Sequence, residues 1–146
     1  TFAPSDREVI ARLDRAYAAG RLPQVRRPYW RTDEDGKSWF GRGLVQITHR
    51  RNYQRLAEAT GIDLIDDPGR ALDLDVAVRI LVVGMRDGLF SGTRLADVFT
   101  RETADWIGAR RIVSGRDRAA LVADYGRAFL GAVTGKGAGV VEAEDG

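Results

Sequence analysis

The chain has 146 residues, 44% of them apolar and 30% charged, with a formal net charge of +2; that is enough for one globular domain with a core of its own, and no second domain is expected. Cysteine is absent and His49 is the single histidine, which excludes disulfides and thiolate metal sites, so no metal or cofactor is expected. No apolar run is long enough to span a bilayer, and the start TFAPSDREVI has neither the basic nor the apolar region of a signal peptide, so membrane insertion is not expected and localisation stays open.

In chain order, Ser5 followed by Glu8 has capping-box spacing, and Val9, Leu13, Ala16 and Tyr17 recur at helical intervals up to Gly20. From Arg21 to Leu44 the periodicity fails and Pro23, Pro28, Gly36, Gly41 and Gly43 punctuate a long irregular stretch. Such stretches are uncommon in compact domains unless they carry function, so this one is expected to shape a cleft. Thr48 stands where a helix N-cap belongs, with Tyr53, Leu56, Ala57 and Thr60 on one face afterwards and Gly61 as the stop. Asp67 before Pro68 signals a short helical turn.

DVAVRILVVGMRDG reads as a largely buried helix with Val76, Ile80 and Val83 inward, ended by Gly88. Thr93 is expected to cap a short segment holding Leu95 and Phe99, and DWIGARRIVSG to hold another helix that stops at Gly115. Asp117 is expected to open the last helix, with Leu121, Ala128 and Phe129 at helical spacing. No alternating strand of convincing length occurs. The expectation is a mainly α fold with a long Gly-rich loop or small hairpin beside a cleft, one domain over 1–133, and a flexible Gly-rich acidic tail over 134–146.

The small net charge hides an asymmetry. Through residue 56 there are 12 Lys and Arg against 6 Asp and Glu, and from residue 57 onward 11 against 15. A positive half suits an anionic partner such as nucleic acid, a membrane surface or the bacterial cell wall, or is simply a solvated arginine-rich face.

The basic half holds WFGRGLVQITHRRNY, residues 39–53. Gly41 and Gly43 permit positive φ and close backbone approach to a ligand. Trp39 and Phe40 offer stacking faces, and Gln46 and Asn52 each offer an amide donor and acceptor. Aromatic faces with amides are what a sugar ring bearing N-acetyl groups needs. Phosphate binding is the rival for a Gly-rich loop before a helix, but neither phosphate-loop spacing is present. The plain structural alternative makes Arg42 a buried ion-pair partner, Thr48 only a cap, and the aromatics core.

FGRGLVQITHRRNY resembles the [FY]-G-R-G-x-x-Q-[LI]-[ST]-x-x-x-N-Y signature of glycoside hydrolase family 19, which includes plant chitinases and many phage endolysins. TGIDLIDDPGRALDLDVAVRILVVGM and GARRIVSGRDRAALVADYGRAF continue the similarity, so that it runs from about Trp30 to about Leu130. The resemblance implies a lysozyme-like or chitinase-like helical domain. It implies that Gln46 and Asn52 bind the N-acetyl sugar and that Thr48 helps hold the nucleophilic water. Trp39, Phe40 and Tyr53 would line or support the cleft, and Gly41, Arg42 and Gly43 would build it, Arg42 paired with a buried carboxylate. Ser114 departs from the Asn usual before Gly115, and His49 reads as a surface or cleft-edge residue rather than a base.

The resemblance also implies an inverting mechanism, in which a protonated Glu serves the leaving oxygen and a second Glu activates water, the two about 6.5–9.5 Å apart. The family carries its acid in a His-Glu-Thr motif upstream of the signature, with the second Glu after it. No His-Glu pair occurs here. The expectation is that the chain starts downstream of both glutamates, and that surface on Val76 to Met85 or on the last helix is then open to association. Glu8 is taken up by its capping box; one of Asp33, Glu34 and Asp35, in the TDEDGK turn, is left as a base surrogate.

Two functions follow. The first is hydrolysis of β-1,4 bonds next to N-acetylglucosamine in peptidoglycan or chitin, of endolysin or chitinase type, with the isolated chain inactive for want of its acid. The second is a non-catalytic glycan-binding module that kept the cleft. Nucleic-acid binding ranks last, because no recognised motif supports it.

Overall fold

A computed structural model describes residues 5–135. The described residues are mainly helical and contain no β-strand, in keeping with the lysozyme-like or chitinase-like helical class expected. Five α-helices run in order: α1 Asp6–Ala18, α2 Arg50–Thr60, α3 Leu74–Asp87, α4 Leu95–Val98 and α5 Ala119–Thr134, with 3-10 turns at Pro68–Leu72 and Gly108–Ile112. The chain divides into two compact units, Thr1–Val83 and Gly84–Gly146. No helix among the described residues is long and apolar enough to cross a membrane.

In the first unit, local chemistry sets the helix ends. Ser5 and Glu8 form the expected reciprocal cap of α1. The Glu8 carboxylate accepts from the Ser5 N–H at 2.8 Å and its hydroxyl at 3.0 Å, which together hold the Glu8 carboxyl below its usual range. Asp67 accepts from the Gly69 N–H at 3.0 Å and starts the Pro68–Leu72 turn as expected. Gly61 ends α2 in a left-handed conformation.

The start of α2 differs from expectation. The helix begins at Arg50, His49 occupies the cap position with φ 66°, and no side chain caps it. Thr48 is therefore not the cap. The reason is tertiary pairing: the His49 N–H donates to the Trp39 carbonyl at 3.0 Å, which ties the backbone at His49 to Trp39 and delays the helix by one residue past Thr48.

The core of this unit gathers Trp30, Trp39, Phe40, Ile47, Tyr53, Leu56, Leu64, Ala71, Ala77 and Ile80. Trp30 is wholly buried; its Nε1 donates to Asp14 on α1 at 3.0 Å. Helix α3 buries Ala77 and Ile80, but Leu74, Val78 and Val82 are exposed, so it is a one-sided helix and not the largely buried one expected.

In the second unit, Gly88 terminates α3 with φ 71°. The short α4 is capped by Asp97, which accepts from the Arg94 N–H at 2.8 Å, and not by Thr93. The DWIGARRIVSG stretch forms only the 3-10 turn Gly108–Ile112. Arg118 with φ 50°, rather than Asp117, precedes α5, and no side chain caps that helix. Val98, Ile112, Ala119 and Ala123 are the buried apolar residues here. Phe99 and Trp106 meet edge to face at 4.9 Å. On α5, Leu121, Tyr125, Phe129 and Val133 recur every four residues and are all exposed, Phe129 at 73%. The tail expected over 134–146 begins inside α5, and residues 136–146 lie outside the described residues.

Candidate functional site

The signature folds into a small closed turn. Arg42 and Ile47 form one antiparallel bridge: the Arg42 N–H donates to the Ile47 carbonyl at 3.2 Å and the Ile47 N–H returns to the Arg42 carbonyl at 2.9 Å. The hairpin expected from the glycines is thus a single bridged pair. Gly43 is required in the turn: its φ is +72°, and a Cβ there would stand 2.8 Å from the Ala71 carbonyl oxygen.

Arg42 is the centre of the turn and has no exposed surface. Its Nη1 donates to the Ser38 carbonyl at 2.8 Å and the Tyr53 hydroxyl at 3.1 Å, and its Nη2 to the Asp6 carboxylate at 2.6 Å. The guanidinium also lies 3.7 Å from the centre of the Phe40 ring. Among the buried side-chain polar atoms of the described residues, only its Nε lacks a partner. The carboxylate expected for Arg42 is present, but it is not buried: the Asp6 side chain is 54% exposed. The Tyr53 hydroxyl donates on to the Phe40 carbonyl at 2.9 Å, joining α2 to the turn. Burial raises its pKa above the usual tyrosine value, despite the hydrogen bond from Arg42.

Trp39, Phe40 and Tyr53 are closed to solvent, at 5%, 5% and 0% exposure. The three rings form a wall, with Trp39 and Tyr53 edge to face at 5.1 Å. Trp39 is held from the other side by Asp33, which accepts from its Nε1 at 2.8 Å and from the backbone N–H groups of Lys37 and Asp35 at 2.9 and 3.1 Å. These bonds, the Lys37 N–H first and the Trp39 indole next, hold the Asp33 carboxyl below its usual range. Arg50 bridges toward Asp33 and Asp35. The TDEDGK turn therefore anchors the Trp39 indole through the Asp33 carboxylate.

The polar residues stand outside this wall. Gln46 is exposed and adopts φ 53°; its amide nitrogen donates to the Gly43 carbonyl at 3.4 Å. Asn52, half-buried, donates through Nδ2 to the Thr48 carbonyl at 2.7 Å. The Gln46 Oε1, Thr48 Oγ1 and Asn52 Oδ1 acceptors have no hydrogen-bond partner among the described residues. Sequence reasoning did not single out Tyr29, whose ring meets that of His49 at 4.4 Å and 42°. With Gln24, Val25, Arg26 and Arg27 the pair lines a recess of about 690 Å³. The signal was the irregular Arg21–Leu44 stretch, which was expected to shape a cleft. Among the described residues no three His, Asp or Glu side chains converge as a metal site.

The signature thus combines a buried arginine that locks a glycine turn, buried aromatic rings and amide and hydroxyl acceptors left without a partner among the described residues. Residues 20–82 match the family model described as chitinase class I, and over that segment the chain is glycoside hydrolase family 19-like. The likeness read in GARRIVSGRDRAALVADYGRAF lies outside the matched segment. A similar protein is Chitinase 11 of Oryza sativa subsp. japonica, 47% identical over 30 residues, which are 20% of this chain and 12% of that relative. No solved structure matches the chain.

Proposed function

We propose that the protein hydrolyses β-1,4 bonds next to N-acetylglucosamine in chitin or peptidoglycan, by the inverting route of the endolysin or chitinase type, and that residues 5–135 supply its substrate-holding floor rather than its acid. The observation that carries this reading is the trio of unpartnered acceptors on Gln46, Thr48 and Asn52, set on a turn that Arg42 makes rigid. Gln46 and Asn52 bind the N-acetyl group, and Thr48 holds the water. Trp39, Phe40 and Tyr53 act as the buried support that keeps these groups in place, since their rings face the core.

A general acid for this reaction must stay protonated at working pH, which requires a raised pKa. Glu8 and Asp33 are both shifted the other way by the hydrogen bonds they accept. Neither shift suits a leaving-group acid, and no His-Glu pair occurs in the sequence. The chain by itself is therefore expected to bind glycan without cleaving it, as in the alternative reading of a non-catalytic binding module.

Titration calorimetry with an N-acetylglucosamine tetramer tests the floor. Gln46→Ala and Asn52→Ala each remove one neutral hydrogen-bonding group, worth about 0.5–1.5 kcal/mol, so affinity falls about 2- to 10-fold. Circular dichroism checks that Asn52→Ala, which also frees the Thr48 carbonyl, remains folded. Unchanged affinity in both variants removes the site assignment, and turbidity loss of permeabilised cells caused by this chain alone removes the statement that it lacks an acid.

A further inference from the structure

We propose that the recess formed by Gln24, Val25, Arg26, Arg27, Tyr29 and His49 is a subsite for an anionic substituent, a carboxylate or a phosphate, carried on a sugar of the glycan. The inference rests on the glycan reading above and narrows its substrate from any N-acetylglucosamine glycan to one bearing acidic groups.

Charge is the first argument. Three arginines of the same unit are ion-paired: Arg31 with Asp14 at 3.1 Å, Arg42 with Asp6 at 2.6 Å, and Arg50 with Asp35 at 3.4 Å. Arg26 and Arg27 have no ion pair among the described residues, and no carboxylate lines the recess. A second recess, of about 450 Å³ in the other unit, differs on this point. It is lined by Asp105 and Arg111, which lie 3.7 Å apart, and so carries its own counter-ion. Two open guanidiniums with no internal anion are suited to bidentate binding of carboxylate or phosphate oxygens.

Shape is the second. A volume of about 690 Å³ lies within the usual range of small-ligand sites. The Tyr29 and His49 rings give the recess an aromatic wall. Burial, with Arg51 adding to it, depresses the His49 pKa, so at neutral pH the imidazole is an uncharged plate. An aromatic plate beside paired cations fits a sugar ring with an acidic arm better than it fits a free ion.

Rigidity and position complete the case. The Tyr17 hydroxyl donates to the Arg26 carbonyl at 3.2 Å, and the Val25 N–H closes a turn onto the Leu22 carbonyl at 3.0 Å. Trp30 packs edge to face with Tyr29 at 5.3 Å and with Tyr17 at 5.7 Å, fastening the loop to α1. A loop held this way loses little entropy on binding. His49 follows Thr48 directly and is bonded to Trp39, so the recess adjoins the signature turn in the chain.

The test compares four probes by calorimetry: a neutral N-acetylglucosamine tetramer, a tetramer in which alternate sugars bear a carboxylate, the same tetramer with its carboxylates reduced to alcohols, and a glycan fragment bearing glycerol phosphate. The wild-type chain is expected to prefer one anionic probe over the neutral tetramer by about tenfold or more, as charge-assisted hydrogen bonds provide. Which anionic probe shows the preference identifies the source. Arg26→Gln with Arg27→Gln, both at exposed positions, is expected to abolish the preference, keep neutral-tetramer affinity within about twofold, and leave the thermal midpoint unchanged. Neutral binding with no anionic preference overturns the recess and spares the glycan reading. Failure of every glycan to bind overturns both. A single-stranded oligonucleotide that binds more tightly than all four probes, and loses that affinity in the double variant, assigns the recess to nucleic acid instead.

Discussion

Replacing Arg42 with alanine is expected to destabilise the chain by about 3–5 kcal/mol, and the contacts show where that comes from. The guanidinium makes three hydrogen bonds, to the Ser38 carbonyl, the Tyr53 hydroxyl and the Asp6 carboxylate. Bonds to a charged group contribute about 1.5–3 kcal/mol each when buried. Asp6 is half exposed and regains water when its partner leaves, so that bond counts at the surface value of about 0–1 kcal/mol. Tyr53 keeps its own bond to the Phe40 carbonyl, whereas the Ser38 carbonyl is left buried and unsatisfied at about 1–3 kcal/mol. The vacated space beside the Phe40 ring adds a cavity cost.

Asp6→Ala strips the counter-charge from a guanidinium that has no exposed surface, and is expected to cost about 1–3 kcal/mol or more. Arg42→Met keeps the volume and removes the buried charge together with the unpartnered Nε donor, so it is expected to cost less than Arg42→Ala. Urea denaturation followed by tryptophan fluorescence in a Trp106→Phe background reads Trp30 and Trp39, which both lie in the first unit. For a chain of this length, about 3–5 kcal/mol corresponds to a thermal midpoint lowered by roughly 6–20 °C. A loss of less than about 1 kcal/mol in Arg42→Ala would refute the reasoning.

Two further predictions concern the wall and the turn. Asp33→Asn is expected to lower the thermal midpoint at neutral pH, because it weakens the acceptor that holds Trp39, Lys37 and Asp35. Since the folded Asp33 carboxyl titrates below its unfolded value of about 3.9, its contribution is present above that pH and is lost as pH falls through the folded value. Melting curves of the two proteins should therefore converge in acid; a gap that persists there contradicts the assignment. Gly43→Ala combines a φ of +72° with a Cβ 2.8 Å from a backbone oxygen and is expected to cost about 1–3 kcal/mol. An unchanged urea midpoint would count against it.

What the sequence determined by itself are the features whose causes lie within a few residues. The Ser5–Glu8 cap, the Asp67–Gly69 turn and the glycine stops at Gly61 and Gly88 each close over at most one helical turn, so residue order suffices to specify them. The FGRGLVQITHRRNY spacing likewise signalled a glycine turn ahead of α2, because that pattern is local. Tertiary structure decided the rest through contacts the order of residues does not reveal. Arg42 finds Asp6 on a helix 36 residues earlier, and the His49 bond to Trp39 moves the start of α2 past Thr48. Burial turns Trp39, Phe40 and Tyr53 into a wall instead of open stacking faces, since one ring cannot pack into the core and face a ligand with the same surface. Tyr29 and His49, twenty positions apart, become neighbours only when Trp30 ties the irregular loop to α1, and with them the unpaired arginines acquire a recess to serve.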